Sequence, residues 1–340
     1  MFDTATASKQ NKTNMINKSV LVTGGGYIGT NIAGCLARNG YTPVIVGRSL
    51  NRLPNNVNDS YQLDLPKDMH MLDEIVKRYN IDTVIHTASS KDISESNVYP
   101  DRYYKNNVVM TIQLLNKCVE LGIRKVLFAS SSSVYGNTNG SCFENETDLQ
   151  PTNPYGQTKL ICEKILQDYY KAYNLYSISF RIFNVAGLCK DCEIGDKQDS
   201  KHLIPSVIRA GFQTDQFVMN GKDYITPDGT CMRDYVHVTD VADVFITALN
   251  LLGTKIQCDT FNVGTGIGIT NEEIVEKISK HTGAIDVVTG PRRIGDPDML
   301  VADMTKTNTI LNWKPKYSGI DNIIQSAVQW YKASNKKEIN

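Results

Sequence analysis

Short apolar runs alternate with longer segments of helical periodicity through the first half of the chain. The apolar runs are typical of buried strands and cover residues 18–23, 42–46, 60–65, 83–86, 125–129 and 177–183. Segments whose apolar residues recur every three or four positions predict helices at 72–79, at 103–121 and from about residue 155 onward. This alternation predicts an α/β fold built on a Rossmann-type doubly wound parallel sheet.

The pattern changes after Asn184, where loops rich in glycine, aspartate and proline separate short elements. Helices are expected at 241–252, 271–281 and 320–333, with a strand at 260–263. We expect residues 18–184 to form a first domain and residues 185–335 to form mainly a smaller C-terminal lobe, with some elements returning to the sheet. Residues 1–17 are polar and lack the apolar segment of a secretory signal, so they predict a disordered tail.

Composition and charge narrow the choice of partners. The hydrophobic content of 41% and charged content of 21% are ordinary for a globular protein. Lysine and arginine together number 36, as do aspartate and glutamate, so no charge excess favours nucleic acid or an acidic membrane surface. No apolar run approaches the length of a membrane span. We therefore expect neither nucleic acid nor a membrane as partner.

The cysteines point to a reducing compartment. Most of the eight lie inside apolar segments, which is typical of buried thiols in a cytoplasmic protein rather than of a disulfide framework. Cys189 and Cys192 form a single C-x-x-C, and one such pair cannot supply the four ligands of a tetrahedral zinc site. The sequence predicts no metal.

A glycine turn joins the first strand to the helix that follows it. Its pattern is Gly24-x-Gly26-x-x-Gly29, and the helical segment after it ends near Gly40. Glycines at these positions let the backbone approach a pyrophosphate, while the helix N-terminus supplies free N–H groups and a positive dipole. The position between strand and helix predicts a dinucleotide site.

The second strand ends differently from those of most NAD-binding folds. Such folds place Asp or Glu there to bind the ribose 2′-hydroxyl. This strand ends in Gly47-Arg48. Arg48 suits a 2′-phosphate, but a role in stacking on adenine or a place in solvent fits the sequence equally well. The choice between NAD and NADP therefore stays open.

Tyr155 and Lys159 lie four residues apart at the start of a predicted helix, which places both side chains on one face. An ammonium near a phenol favours the phenolate, and such a tyrosine can exchange a proton with a sugar hydroxyl near neutral pH. A hydroxyl from the serines at 130–133 can reach the same oxygen. The spacing occurs on many ordinary helices, so its weight depends on the glycine turn at the front of the chain.

These motifs, together with others in the same order, carry a family resemblance. The chain resembles the extended short-chain dehydrogenase/reductases and, within them, the UDP-glucose (UDP-galactose) 4-epimerases. The resemblance runs from about residue 20 to 313 and rests on LVTGGGYIG, DTVIHTAS, YYKNNV, SSSSVYG, NPYGQTK, RIFNVAG, GKDYITPDGTCMRDYVHV and PRRIGDPDMLVAD.

The resemblance implies roles for individual residues. Tyr155 is the catalytic acid/base, Lys159 is its partner and also holds the nicotinamide ribose, and Ser131 bonds the 4-hydroxyl of the sugar. The cofactor-binding set, besides Tyr155 and Lys159, is Gly24, Gly26, Tyr27, Ile28, Gly29, Arg48, Asp64, Leu65, Lys91, Asn106 and Phe183. The substrate-binding set, besides Ser131 and Tyr155, is Lys91, Asn184, His202, Leu203, Asn220, Arg233, Arg293 and Asp296.

The implied function is that of a UDP-sugar 4-epimerase of carbohydrate metabolism. UDP-glucose and UDP-galactose, or their N-acetyl forms, interconvert through a 4-keto sugar while NAD stays bound. In this view the first domain binds NAD(P) and the C-terminal lobe binds the UDP-sugar. The family also implies a homodimer, for which the apolar segments 111–121 and 160–170 are candidate interfaces.

Several departures from the family pattern keep alternatives open. The glycine loop is one residue shorter, Gly47 replaces the usual aspartate, and the segment up to Asp64 is too short for a further helix. Asn220 replaces a common aromatic residue and Leu300 replaces Tyr or Cys, so the preferred sugar is open. An NADP-dependent reductase and a non-catalytic nucleotide-binding protein are the rival hypotheses. A dehydratase is disfavoured because serines, not carboxylates, follow Ser131.

Overall fold

Seven parallel strands form a sheet through the centre of the molecule. The computed structural model describes residues 18–338 except 139, 147 and 198, and the expected N-terminal tail lies outside the described residues. The strands are β1 (Ser19–Thr23), β2 (Thr42–Gly47), β3 (Asp59–Gln62), β4 (Thr83–His86), β5 (Lys125–Ser131), β6 (Ser141–Cys142), β7 (Tyr176–Ile182), β8 (Asn184–Ala186), β9 (Phe217–Asn220), β10 (Met232–His237), β11 (Cys258–Val263), β12 (Gly268–Thr270), β13 (Val287–Gly290) and β14 (Met299–Ala302).

Helices cover both faces of this sheet. They are α1 (Tyr27–Arg38), α2 (Leu65–Asp68), α3 (Leu72–Tyr79), α4 (Ile93–Val98), α5 (Pro100–Tyr103), α6 (Met110–Glu120), α7 (Pro154–Tyr173), α8 (Leu203–Gln213), α9 (Val238–Leu251), α10 (Asn271–Thr282), α11 (Thr305–Ile310) and α12 (Ile320–Glu338). None of the helices in the described ranges is long and apolar enough to cross a membrane.

The order of the central strands is β11-β7-β5-β4-β1-β2-β3, and every neighbouring pair is parallel. Such strands are buried on both faces, which is why they read as nearly continuous apolar runs. The chain builds outward in one direction from β1 and in the other from β4. Ligands bind at this kind of switch point, beyond the carboxyl ends of the strands. The predicted α/β doubly wound fold is confirmed.

A second, smaller sheet packs beside the central one. It has the order β12-β10-β14-β6, with β8 also paired to β10, and β9 pairs with β13 separately. Helices α8, α10 and α12 enclose an apolar core that includes Val207, Ile274 and Ile323. Two late elements join the central layer instead. Strand β11 forms the edge of the seven-stranded sheet, and Phe245 of α9 shares a core with Ile32 of α1.

The structure corrects two boundaries that the sequence predicted. The predicted helix at 103–121 is interrupted by a π-helical turn at Tyr104–Val109 before α6 begins. The third strand ends at Gln62, because Leu65 and Pro66 already start α2. The short connection between β2 and β3 contains no helix, as its length predicts.

Candidate active site

A cavity of about 1030 Å³ opens along the switch point, between the ends of the central strands and the smaller sheet. It is lined by every residue that the sequence assigns to catalysis, cofactor or substrate: Gly24, Gly26, Tyr27, Ile28, Gly29, Arg48, Asp64, Leu65, Lys91, Asn106, Ser131, Tyr155, Lys159, Phe183, Asn184, His202, Leu203, Asn220, Arg233, Arg293 and Asp296. The residues come from both sheets, so the fold brings together segments far apart in sequence.

The glycine turn is packed tightly on one side and open on the other. Gly24 has a φ of +106°, and a Cβ there would lie 2.6 Å from the Thr87 hydroxyl oxygen and 2.8 Å from the Ala88 nitrogen. A Cβ on Gly26 would meet no atom within 4 Å. Gly26 is the N-cap of α1 and provides no side-chain cap, so the first N–H groups of the helix face the cavity unpaired by a side chain. This open cradle fits a pyrophosphate.

Helix α7 holds the predicted catalytic tyrosine in its first turn. Pro154 occupies the start of the helix, and the Asn153 side chain accepts a hydrogen bond from the Gly156 N–H at 2.9 Å. Lys159 is 2% exposed, and its Nζ donates to the Ala129 carbonyl oxygen at 2.7 Å. The Lys159 Nζ lies 5.8 Å from the centre of the Tyr155 ring.

Burial changes the acidity of both groups. It raises the pKa of the Tyr155 phenol, while the Ser131 hydroxyl acts in the opposite direction. Burial lowers the pKa of Lys159 to about 8, against the attraction of Cys162 and Glu163. The sequence predicted that the lysine itself favours the phenolate. In the structure the Lys159 ammonium donates to the Ala129 carbonyl oxygen, and the Ser131 hydroxyl is a second group that favours the ionised phenol.

A buried ion pair lies beneath these groups, and sequence reasoning did not find it. Glu163 follows Lys159 by one helical turn, and its carboxylate accepts from the Ser130 hydroxyl at 2.5 Å. Arg181 Nη2 lies 2.9 Å from the other carboxylate oxygen, and the two side chains are only 5% and 3% exposed. The pair therefore ties α7 to β5 and β7 just below the reacting end of the cavity.

The π-helical turn contains two adjacent asparagines, of which Asn106 lines the cavity and Asn107 is buried behind it. The Asn106 amide donates to the Ser90 hydroxyl at 3.1 Å. Asn107 accepts from the Ser90 N–H at 2.7 Å and donates to the Thr158 hydroxyl at 2.9 Å. Insertions of this kind are frequent at functional sites. Asn107 thus links the loop after β4 to α7.

Two arginines lie at the opposite end of the cavity. Arg233 of β10 has a side chain 10% exposed, with its Nη2 3.6 Å from an Asp296 carboxylate oxygen. Arg293 comes from the loop after β13, and the Asn220 amide oxygen, when turned toward it, accepts from its Nε at 3.1 Å. Planar guanidinium groups from two segments suit the oxygens of a diphosphate.

Asp196 is a cavity residue that the sequence analysis missed. The His202 Nδ1 lies 2.7 Å from one of its carboxylate oxygens, and the Ser200 hydroxyl donates to the same oxygen at 2.8 Å. Although burial opposes it, His202 and Lys91 hold the pKa of Asp196 to about 2. Its partners are set by the folded loop, and no sequence pattern marks them.

The cysteine pair lies outside the cavity. The sulfur atoms of Cys189 and Cys192 are 2.8 Å apart in a small apolar cluster, with the Arg38 guanidinium 3.0 Å from Cys192. Between residues 18 and 338, leaving aside the three undescribed positions, no group of three or more His, Cys, Asp or Glu side chains is placed to hold a metal ion.

The sequence is similar to a known family and to characterised members of it. The model of the NAD dependent epimerase/dehydratase family matches residues 20–264. The UDP-glucose 4-epimerase of Lactobacillus helveticus is 38% identical over 325 residues, which cover 94% of this chain and 98% of that protein.

Solved structures agree with the sequence match. A UDP-glucose 4-epimerase from Brucella ovis in complex with NAD superposes with a TM-score of 0.84 at 38% identity, covering 92% of this chain and 98% of that one. The enzyme from Bifidobacterium longum in complex with NAD⁺ and UDP gives a TM-score of 0.86 at 31% identity, covering 94% and 99%. The resemblance seen in the motifs is therefore confirmed over nearly the whole chain.

Proposed function

Because the chain belongs to the NAD dependent epimerase/dehydratase family, we propose that it is a UDP-sugar 4-epimerase that interconverts UDP-glucose and UDP-galactose. One observation carries the proposal. Ser131, Tyr155 and Lys159 lie in one cavity between a glycine cradle and a pair of arginines. The cradle fits the pyrophosphate of NAD, and the arginines fit the diphosphate of a UDP-sugar.

The cofactor end is formed by the segments that follow β1, β2, β3, β4 and β7, together with the π-helical turn and α7. NAD bound here would supply the hydride acceptor and donor of the reaction. The residues that would hold it are Gly24, Gly26, Tyr27, Ile28, Gly29, Arg48, Asp64, Leu65, Lys91, Asn106, Tyr155, Lys159 and Phe183. Gly26 leaves open space for the phosphates, and Lys159 reaches the floor of the cavity beside β5.

The proton chemistry belongs to Tyr155. Its phenolate takes the proton of the sugar 4-hydroxyl as the ring is oxidised at C4, and returns it after the 4-keto sugar has turned over in the cleft. Ser131 would hydrogen-bond the sugar 4-hydroxyl, and its hydroxyl lowers the pKa of the Tyr155 phenol and so favours the phenolate. The Lys159 ammonium adds positive charge 5.8 Å from the Tyr155 ring.

The UDP end is formed by the smaller sheet and its loops. Arg233 and Arg293 bind the diphosphate, with Asn220 and Asp296 orienting them through the contacts described above. Asn184, His202 and Leu203 complete the pocket. Leu300 is 7% exposed and lines the same wall, where its size limits the room for a 2-acetamido group.

We include the localisation and the oligomeric state in the proposal. We propose that the protein is cytoplasmic, since all eight of its cysteines are free thiols. We also propose a homodimer through α6 and α7, where Tyr169 bonds Asn116 and Tyr173 stays 47% exposed. Light scattering of the purified chain measures this directly, and a monomer at micromolar concentration would contradict it.

The first experiment is a proton NMR time course with UDP-galactose, and separately with UDP-N-acetylgalactosamine, without added cofactor. Signals of the C4 epimer are expected from at least one of the two UDP-sugars.

The role of Tyr155 is tested in the same assay. Tyr155→Phe should slow the reaction by about 10²–10⁴-fold, because it removes the hydroxyl that acts as general acid and base. Tyr99→Phe is the control and should keep the rate, because the Tyr99 side chain is 54% exposed and does not line the cavity. An unchanged rate in Tyr155→Phe would contradict the assigned role, and reduced product that accumulates only with NADPH would favour a reductase.

A further inference from the structure

The end of β2 excludes the acidic residue that usually selects NAD. A Cβ on Gly47 would lie 2.7 Å from the Gly25 nitrogen, which is backbone and cannot move aside as a flexible side chain would. Gly25 in turn packs against the Ser49 carbonyl and the Leu50 side chain. The shortened glycine turn therefore sits directly on the strand end. No side chain fits at residue 47, so a carboxylate cannot reach the adenosine ribose from this position.

Arg48 follows at the rim of the cavity. Its side chain is exposed and lines the cofactor end. Within the described part of the chain, its guanidinium makes no ion pair and no hydrogen bond. A guanidinium of this kind offers five donors in a planar fork that matches phosphate oxygens.

The carboxylates near this end do not cancel the positive charge of Arg48. Asp64 lines the same part of the cavity, but its carboxylate lies 3.0 Å from the Lys67 ammonium. The Asp68 carboxylate accepts from the Asp64 backbone N–H at 2.8 Å and so faces its own loop. Ser49 adds a further exposed polar residue beside Arg48.

We propose that Arg48 makes the adenosine end of this cavity a 2′-phosphate site, so that the chain binds NADP at least as tightly as NAD. The inference rests on the proposed function only in that a dinucleotide binds at the glycine turn. The 2′-phosphate takes no part in hydride or proton transfer, so either dinucleotide serves the same reaction.

The test compares the two nucleotides directly. The purified full-length chain is incubated with equimolar NAD and NADP until the bound ratio is constant, then washed and denatured, and the released nucleotides are quantified by mass spectrometry. The wild-type chain should release at least as much NADP as NAD. Arg48→Gln should shift the ratio toward NAD by about 10–100-fold, since a charge-assisted contact to the phosphate is lost, and Arg48→Lys should shift it less.

Arg52→Gln is the matched control. Its guanidinium lies 5.7 Å above the Trp330 ring and outside the cavity, so the ratio should not change. A wild-type chain that releases more NAD than NADP, or an Arg48→Gln ratio equal to that of the wild type, would overturn the inference. If Arg48→Gln fails to fold, as judged by its melting temperature, Arg48→Met, which also removes the charge, is measured instead and judged by the same criterion.

The outcome is separable from that of the proposed function. Epimerisation is followed in the same samples. A chain that binds NADP but converts no UDP-sugar overturns the epimerase assignment and leaves the phosphate site standing. A chain that epimerises while holding only NAD overturns the phosphate site alone.

Discussion

Tyr155 and Lys159 occupy consecutive turns of one helix, yet burial moves their pKa values in opposite directions. The phenol is harder to ionise than a free tyrosine, and the ammonium is easier to deprotonate, with a pKa of about 8. Lys159 therefore carries its positive charge only at pH values below about 8. The Ser131 hydroxyl, which favours the phenolate, does not titrate and acts at every pH.

The first prediction concerns the alkaline limit of activity. Lys159 loses its proton as the pH rises through about 8, and the positive charge beside the reacting phenol is lost with it. We expect kcat/KM to fall above pH 8. Lys159→Arg, whose guanidinium stays protonated, should have a lower maximum rate but no alkaline limb below pH 10. Rates measured from pH 6 to 10 check this, and a limb of the same position in both proteins would contradict it.

The second prediction concerns acid stability. His86 lies between the Thr23 and Thr111 hydroxyls at 2.7 and 2.9 Å, and burial lowers its pKa to about 3. In the unfolded chain the same group has a pKa near 6.5. Between these values the unfolded chain binds more protons, so the free energy of unfolding falls as pH falls from 6.5 toward 3.

Urea unfolding at pH 7 and pH 4.5 tests this linkage. His86→Gln should lose less stability between the two pH values than the wild type does, although it is less stable at pH 7. His281→Gln, on the exposed end of α10, is the control and should match the wild type. Equal pH dependence in His86→Gln and wild type would show that another group carries the effect.

At the scale of elements, the buried pair of Glu163 and Arg181 joins α7, which carries the proposed catalytic tyrosine, to the sheet. The third prediction is that Glu163→Gln lowers the free energy of unfolding by about 3–5 kcal/mol, because it leaves the Arg181 charge buried without its partner. The control on the same helix is Asp168→Asn, whose partner Lys171 is exposed and 3.5 Å away. That change should cost less than about 1 kcal/mol. Urea unfolding measures both, and equal costs would contradict the prediction.

The same elements show what the sequence can and cannot predict. The glycine turn, Ser131 and Tyr155 each follow or start an element with strong periodicity, and parallel strands bring their carboxyl ends to one edge. The sequence does not predict the roles of Asp196 and Glu163, because tertiary packing determines which side chains they contact. These partners are His202 for Asp196, and Ser130 and Arg181 for Glu163. The sequence does not predict the π-helical turn either, because one extra residue in a helix hardly changes the spacing of apolar residues at every third or fourth position.

At the scale of the whole molecule, the cavity joins two layers that have separate apolar cores. The proposed catalytic residues lie at the end of β5 and on α7, beside the central sheet, whereas Arg233 lies on β10 of the smaller sheet and Arg293 lies in the loop after β13. A UDP-sugar therefore connects the layers when it binds. Ligands that bind only the folded chain stabilise it by mass action, by about 2.7 kcal/mol at a hundred times the Kd.

The last prediction follows from that arrangement. UDP at saturating concentration should raise the melting temperature of the purified chain, and Arg293→Ala should lose most of this rise because one of the two diphosphate-binding guanidinium groups is gone. Arg292→Ala is the adjacent control, since its guanidinium pairs with Asp223 at 2.7 Å and does not line the cavity. It should keep the full UDP response. A similar UDP-induced rise in both variants would mean that the diphosphate binds elsewhere, and that the cavity does not connect the two layers through this ligand.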